Sequence, residues 1–103
     1  MHFTLSAQSE GDTTTIFLTG QVERLEADAC LAELLKLVDE GGPTIHLNLK
    51  DLRRIDGFGV GVIRSFCKHV EILGKKCRIV DLCDQPRALF RILRLDTVLP
   101  CGN

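Results

Sequence analysis

Tryptophan and tyrosine are both missing, and the only aromatic side chains are five phenylalanines. The stacking platforms on which single-stranded nucleic acids are held are therefore scarce. Neither sign of charge prevails: 13 Lys and Arg stand against 14 Asp and Glu, a net charge of −1. No global field draws the chain onto nucleic acid or an anionic membrane, and no nucleic-acid partner is expected. No apolar run approaches the roughly 20 residues of a spanning helix. The stretch from Met1 to Ser9 is neither basic nor followed by a long apolar core, so it does not read as a signal peptide. Direct membrane insertion is not expected, and a cytoplasmic setting is. Cysteine is present but never in close pairs: Cys30, Cys67, Cys77, Cys83 and Cys101 are odd in number and contain no C-x-x-C. That excludes zinc ribbons and dithiol redox motifs of the usual spacing. Reduced, mostly buried thiols are expected, with Cys101 in a tail loose enough to oxidise.

Catalytic signatures are also lacking. There is no phosphate loop ending in Gly-Lys-Ser/Thr and no Gly-x-Ser-x-Gly elbow. The run Gly57-Phe58-Gly59-Val60-Gly61 has three alternating glycines, but the third falls too early for a dinucleotide fingerprint. Packing explains it better, with Gly59 and Gly61 letting a helix start lie close to a sheet. His2, His46 and His69 have no partner at metal-ligand spacing, and Asp81 and Asp84 suit turns and caps better than acid–base work. No enzyme activity, catalytic residue, metal or cofactor is therefore expected.

What is present reads as one α/β domain over residues 1–103. With 45% hydrophobic and 26% charged residues, the chain can bury a core without staples. Phe3–Ala7 alternates as a strand, Glu10-Gly11-Asp12 marks a turn, and the β-branched run Thr13–Leu18 completes a hairpin. Glu26–Glu40 carries an apolar stripe at helical spacing (Ala27, Cys30, Leu31, Leu34, Leu37, Val38) and stops at Gly41-Gly42-Pro43. Ile45–Leu49 is a third strand. Asp56-Gly57 opens a second helix with inward Val60, Ile63, Phe66, Cys67, Val70 and Leu73, closed by Gly74. A fourth strand spans Arg78–Leu82. Asp84 is expected to cap a third helix with Pro86 in its first turn and Leu89, Ile92 and Leu93 inward. A short strand at Thr97–Leu99 and a fraying tail end the chain. Alternating strands and helices favour a largely parallel sheet with an antiparallel edge.

Two charge patterns stand out. Arg87, Arg91 and Arg94 share one helix face, and Glu23, Glu26, Asp28 and Glu33 make the approach to the first helix acidic. Both read as solvated faces, or as surfaces that steer a charged partner.

The segment Leu47-Asn48-Leu49-Lys50-Asp51-Leu52-Arg53-Arg54-Ile55-Asp56-Gly57-Phe58-Gly59-Val60-Gly61-Val62, with Phe17-Leu18-Thr19-Gly20-Gln21-Val22-Glu23 upstream, resembles the STAS domain family. Within that family it is similar to the bacterial anti-sigma-factor antagonists, over nearly the whole chain. The resemblance implies an α/β fold with a mixed, mostly parallel sheet of four to five strands flanked by about three to four helices. It also implies a protein partner, a kinase-like anti-sigma factor, which in the family phosphorylates a Ser or Thr in an Asp-Ser-Ser/Thr-Gly motif at a helix start. Asp56 and Gly59 match the outer positions of that motif. Gly57 and Phe58 replace the two hydroxyl residues, and Phe58 stands at the phosphorylated position, so no phosphorylation is expected there. Glu23 stands where the family often has Asp.

The resemblance thus implies a partner-binding set of Glu23, Asp56, Gly57, Phe58 and Gly59, with Arg87, Arg91 and Arg94 as a charged docking face. Phe58 is expected as an exposed apolar knob among glycines; the competing placement folds it onto the sheet. Asp56 reads as a helix N-cap, a partner contact, or both. Two other roles keep the fold: a STAS subunit or appendage of a lipid-transporting ABC system or of an anion transporter, bound to an ATPase or a membrane component, and a small-ligand or redox sensor. A monomer or weak dimer fits each.

Overall fold

A computed structural model describes residues 2–101; the fraying expected of the tail falls on Gly102 and Asn103, outside them. Five strands, three helices and a 3-10 turn follow in the order β1 (Phe3–Glu10), β2 (Thr13–Val22), α1 (Ala27–Glu40), β3 (Thr44–Asn48), β4 (Leu52–Ile55), α2 (Gly57–Ile72), β5 (Lys76–Val80), α3 (Asp84–Ile92) and the 3-10 turn at Leu95–Thr97. The sheet runs β1-β2-β3-β5, with β4 also on β2. Only the β1–β2 hairpin is antiparallel; β2–β3, β2–β4 and β3–β5 are parallel. The mixed, mostly parallel α/β sheet expected from the sequence is the observed one.

Side-chain alternation sets the layers. Ile16 pairs with Leu47, and Leu47 with Ile79, in register. These residues share the core with Leu18 and Ile45 and with the helical Cys30, Leu34, Val38, Ile63, Phe66 and Val70. Helices α1 and α2 also meet directly, His69 Nε2 lying 2.9 Å from Asp39 Oδ1. The opposite sheet face carries Thr15, His46 and Arg78 in register, which keeps it polar.

Strand β2 is longer than the sequence pattern implies because it serves two successive partners on one edge. Thr13–Phe17 pair with β3 and Gly20–Val22 with β4, and the register slips between Gly20 and Gln21. Gly20, expected to punctuate the chain, instead sits inside β2 at φ +94°, and a Cβ there would overlap the His2 carbonyl. A bulge with positive φ and a close backbone neighbour needs glycine.

The sequence pattern predicts no strand at Leu52–Ile55, where β4 forms. Its sequence, Leu52-Arg53-Arg54-Ile55, is four residues long with two central charges, so it carries no alternation to read. Its order comes from tertiary partners. One edge is β2; on the other, the Gln85 amide acts as a surrogate strand, accepting from Ile55 N–H and donating to Ile55 C=O, both at 2.9 Å. Replacing Gln85 with alanine is expected to cost about 1–2 kcal/mol, because both Ile55 backbone groups lose their partner. Gln85→Glu is expected to cost more, since a carboxylate oxygen would then face the Ile55 carbonyl. Chemical denaturation with unchanged m-values checks both.

Other expectations require correction. Strand β5 begins two residues earlier than its predicted start at Arg78. Leu73 is 43% exposed, not inward. Asp84 makes no side-chain cap; Cys83 is the N-cap residue of α3. The inner face of α3 is Pro86 and Phe90, with Leu89 partly buried, while Ile92 is 76% exposed. The strand expected at Thr97–Leu99 does not form, Thr97 ending the 3-10 turn; an isolated bridge from Ile79 to Cys101 follows and holds Cys101 against β5 and not in a loose tail.

Candidate functional site

Strands β2, β3, β4 and β5 run parallel, so their carboxyl ends all point to one end of the sheet. The expected site residues collect there. Asp56 follows β4 and caps α2: its Oδ1 accepts from Gly59 N–H at 3.0 Å. Its Oδ2 accepts from the Arg24 N–H, also at 3.0 Å, in the loop after β2. One carboxylate therefore holds the helix start and the β2–α1 loop together. A carboxylate at a helix N-terminus also complements the helix dipole.

The loop is braced from its other side. Glu26, buried, folds back to accept from Glu23 N–H at 3.0 Å, while Glu23 C=O accepts from both Glu26 and Ala27 N–H. This reciprocal pattern resembles a capping box. The Glu23 side chain joins β2 to β4: Oε1 accepts from Gln21 Nε2 at 3.2 Å, and Oε2 lies 3.7 Å from Arg54 Nε. Arg54 is mostly exposed, so that pair adds little to stability.

Two apolar side chains are left in solvent by the segments that Asp56 joins. Phe58, in the first turn of α2, is 58% exposed, and Leu25, next to Arg24, is 88% exposed. Gly57 is exposed beside Phe58, whereas Gly59 is buried under the helix. Only Gly59 has the packing role expected of both Gly59 and Gly61: a Cβ there would overlap the Val22 carbonyl oxygen and sit 2.9 Å from Ile55 Cβ, while nothing lies within 4 Å at Gly61. Leu25 escaped sequence reasoning because it falls between Arg24 and Glu26 in a short acidic stretch with no period. Its one available signal was a leucine stranded among charges just before a helix.

Asp56→Ala is expected to destabilise the fold by about 1–2 kcal/mol through the lost cap. Amide exchange should accelerate at Arg24 and Gly59 while the strand amides of β3 keep their protection. Equal acceleration throughout would show global unfolding and not release of this tie.

The arginines of α3 occupy another part of the same end. Arg87 and Arg91 line an open cleft of about 770 Å³ together with Lys50, Arg78, Asp81 and Asp96. Arg94 is exposed just beyond, at positive φ. Asp81 accepts from Asn48 Nδ2 at 3.0 Å, and Arg53 bridges loosely to Asp51 and Asp84 at 3.8 and 3.6 Å. Among the described residues no ion pair engages Lys50, Arg78, Arg87 or Arg91. No cluster of His, Cys, Asp and Glu suited to a metal occurs among the described residues, and no described helix is long and apolar enough to cross a membrane.

A family described as "Mlab, STAS domain" matches residues 5–100. No curated protein matches the chain. Among solved structures, an anti-sigma factor antagonist from Mycobacterium paratuberculosis superposes with a TM-score of 0.81 at 16% identity, over 96% of this chain and 84% of that one. The Bacillus cell fate determinant SpoIIAA in its phosphorylated form gives 0.67 at 19% identity, over 98% and 91%. An antisigma-factor antagonist STAS domain from Rhodobacter sphaeroides gives 0.69 at 15% identity, over 78% and 87%. At such identities these three likenesses are likenesses of fold.

Proposed function

The chain belongs to the STAS domain family, and from that premise we propose that it is a protein-binding regulatory module of the anti-sigma-factor-antagonist type, not an enzyme. Its partner in this reading is a kinase-like anti-sigma factor in the cytoplasm. The docking surface is the α2 start with the β2–α1 loop: Glu23, Asp56, Gly57, Phe58 and Gly59, joined by Leu25. The observation that carries the reading is the Asp56 tie, which holds Phe58 and Leu25 in solvent on one braced platform.

Exposed, well-anchored aromatic side chains make effective hot spots, because little conformational entropy is lost when they are covered. A phosphate at this helix start would instead put about −1.5 to −2 charges into the contact. Phe58 offers no oxygen to phosphorylate, so control by phosphate at this position is absent in this reading, and binding is constitutive or governed by another signal.

A second reading is favoured by the basic cleft. Four cations without an ion-pair partner among the described residues, Lys50, Arg78, Arg87 and Arg91, suit an acidic surface on a transporter ATPase. The two readings use different residues and separate cleanly. Affinity capture from native lysate, with partners identified by mass spectrometry, should return a kinase-like anti-sigma factor for wild type and lose it for Phe58→Glu. Return of an ATPase, lost on Arg87→Glu/Arg91→Glu and kept on Phe58→Glu, would replace the first reading with the second.

A further inference from the structure

The five thiols sit in different surroundings. Cys30 is fully buried in α1, and its thiol is pushed up to about 12 by burial first and by Glu33 second; such a thiol is inert. Cys83 donates weakly to the Lys50 carbonyl at 3.3 Å. Cys67 and Cys77 differ from these in having each other. Cys77 pairs with Ile45 across the β3–β5 ladder and so shares its helix-facing side, and α2 lays Cys67 over that edge. Their sulfurs are 3.8 Å apart.

We propose that Cys67 and Cys77 form an oxidisable dithiol site, closing to an intramolecular disulfide that staples α2 to the edge strand β5 when the protein meets hydrogen peroxide. A disulfide needs about 2.05 Å between sulfurs, so the two side chains must rotate toward one another while the backbone contact between α2 and β5 stays in place. The partners are unequal in a useful way. Cys67 is buried and Cys77 only partly so. The hydrogen bond between them raises the Cys67 thiol, with burial adding to it, and lowers that of Cys77. Cys77, the more exposed of the two, is therefore the sulfur that meets the oxidant first, with Cys67 3.8 Å behind it. Cys67 also borders a shallow cleft with Lys68, Val98 and Pro100.

The chemistry balances with peroxide as the two-electron oxidant. The Cys77 thiolate attacks one peroxide oxygen, the O–O bond breaks, and hydroxide leaves, giving Cys77 sulfenic acid. That hydroxide takes up the proton Cys77 had released. The Cys67 sulfur then attacks the Cys77 sulfur, the S–O bond breaks, and the departing hydroxide takes the Cys67 proton. Two thiols and one peroxide become one disulfide and two waters.

The test treats the full, reduced chain with one equivalent of hydrogen peroxide, counts thiols, and maps links by mass spectrometry after non-reducing trypsin digestion. The expected result is loss of two of the five thiols, no covalent dimer, and a linked pair of Ser65–Lys68 with Cys77–Arg78. In Cys67→Ser, a Cys77 sulfenic acid should persist and be captured by dimedone; in Cys101→Ser, the link should form as in wild type. A Cys77–Cys101 link, an interchain link, or an unchanged thiol loss in Cys67→Ser would overturn the assignment. Should a serine variant fail to fold, the wild-type map decides alone.

Discussion

Gly59→Ala is expected to destabilise the protein by about 2–3 kcal/mol, while Gly61→Ala, the same substitution two residues along the same helix, is expected to stabilise it by up to about 1 kcal/mol. The sign follows from what each new methyl meets. At Gly59 it would overlap the Val22 carbonyl oxygen and crowd Ile55, both of them parts of the sheet and neither the movable end of a long side chain. The helix start must then lift from β2 and β4, at a cost typical of overpacking, only partly offset by the better helix propensity of alanine. At Gly61 nothing lies within 4 Å, so the methyl meets solvent and the gain is the reduced freedom of the unfolded chain together with propensity. Denaturant titration with matched m-values measures both. Destabilisation by both variants, or by neither, would show that α2 does not sit on the sheet as described. The contrast also bears on the site: lifting the α2 start moves Phe58 and slackens the Asp56 tie, so Gly59→Ala should also weaken partner binding.

That contrast marks the limit of what the sequence made legible. The three-glycine run was readable as close packing, but which glycine packs depends on the rotation of α2, and that is set by Val22 and Ile55 from other elements. Helices α1 and α2 were readable because their apolar stripes are long and periodic, and Asp56 because an aspartate before a helix start has one common use. Strand β4 was not: two arginines between a leucine and an isoleucine carry no period, and its ordering depends on Gln85, 30 residues away. Gln85 itself carries no sequence signal beyond its place in the first turn of a helix. The inward face of α3 is hidden in the sequence for a related reason. In a nine-residue helix, Pro86 and Phe90 share one face and Leu89 and Ile92 another, and only contact with the rest of the core chooses Phe90. At the site, Asp56 and Phe58 were legible from a motif-like frame, whereas Leu25 enters through the hydrogen bond from Arg24 N–H to the Asp56 carboxylate, a contact between segments with no local signature.

Phe58→Glu is expected to leave the fold within about 0.5 kcal/mol of wild type, as for most exposed positions, and to weaken partner binding at least about thirtyfold. The two halves of this expectation have separate causes. In the free protein Phe58 is 58% exposed, and a carboxylate in the first turn of α2 lies near the positive end of the helix dipole, so the lost apolar contact is partly offset. In the complex the same position would sit at the centre of the contact, where losing an aromatic anchor costs about 2 kcal/mol or more and a buried, unpaired carboxylate adds a desolvation penalty. Leu25→Glu tests whether the platform acts as one surface. If the β2–α1 loop and the α2 start meet the same partner, the double variant should lose less than the sum of the single losses, because each single change already opens the shared apolar contact to water. Strictly additive losses would place Leu25 and Phe58 in independent contacts. Full retention of binding by Phe58→Glu, with the fold intact, would remove the α2 start from the interface and leave the arginine-lined cleft of α3 as the surface to examine.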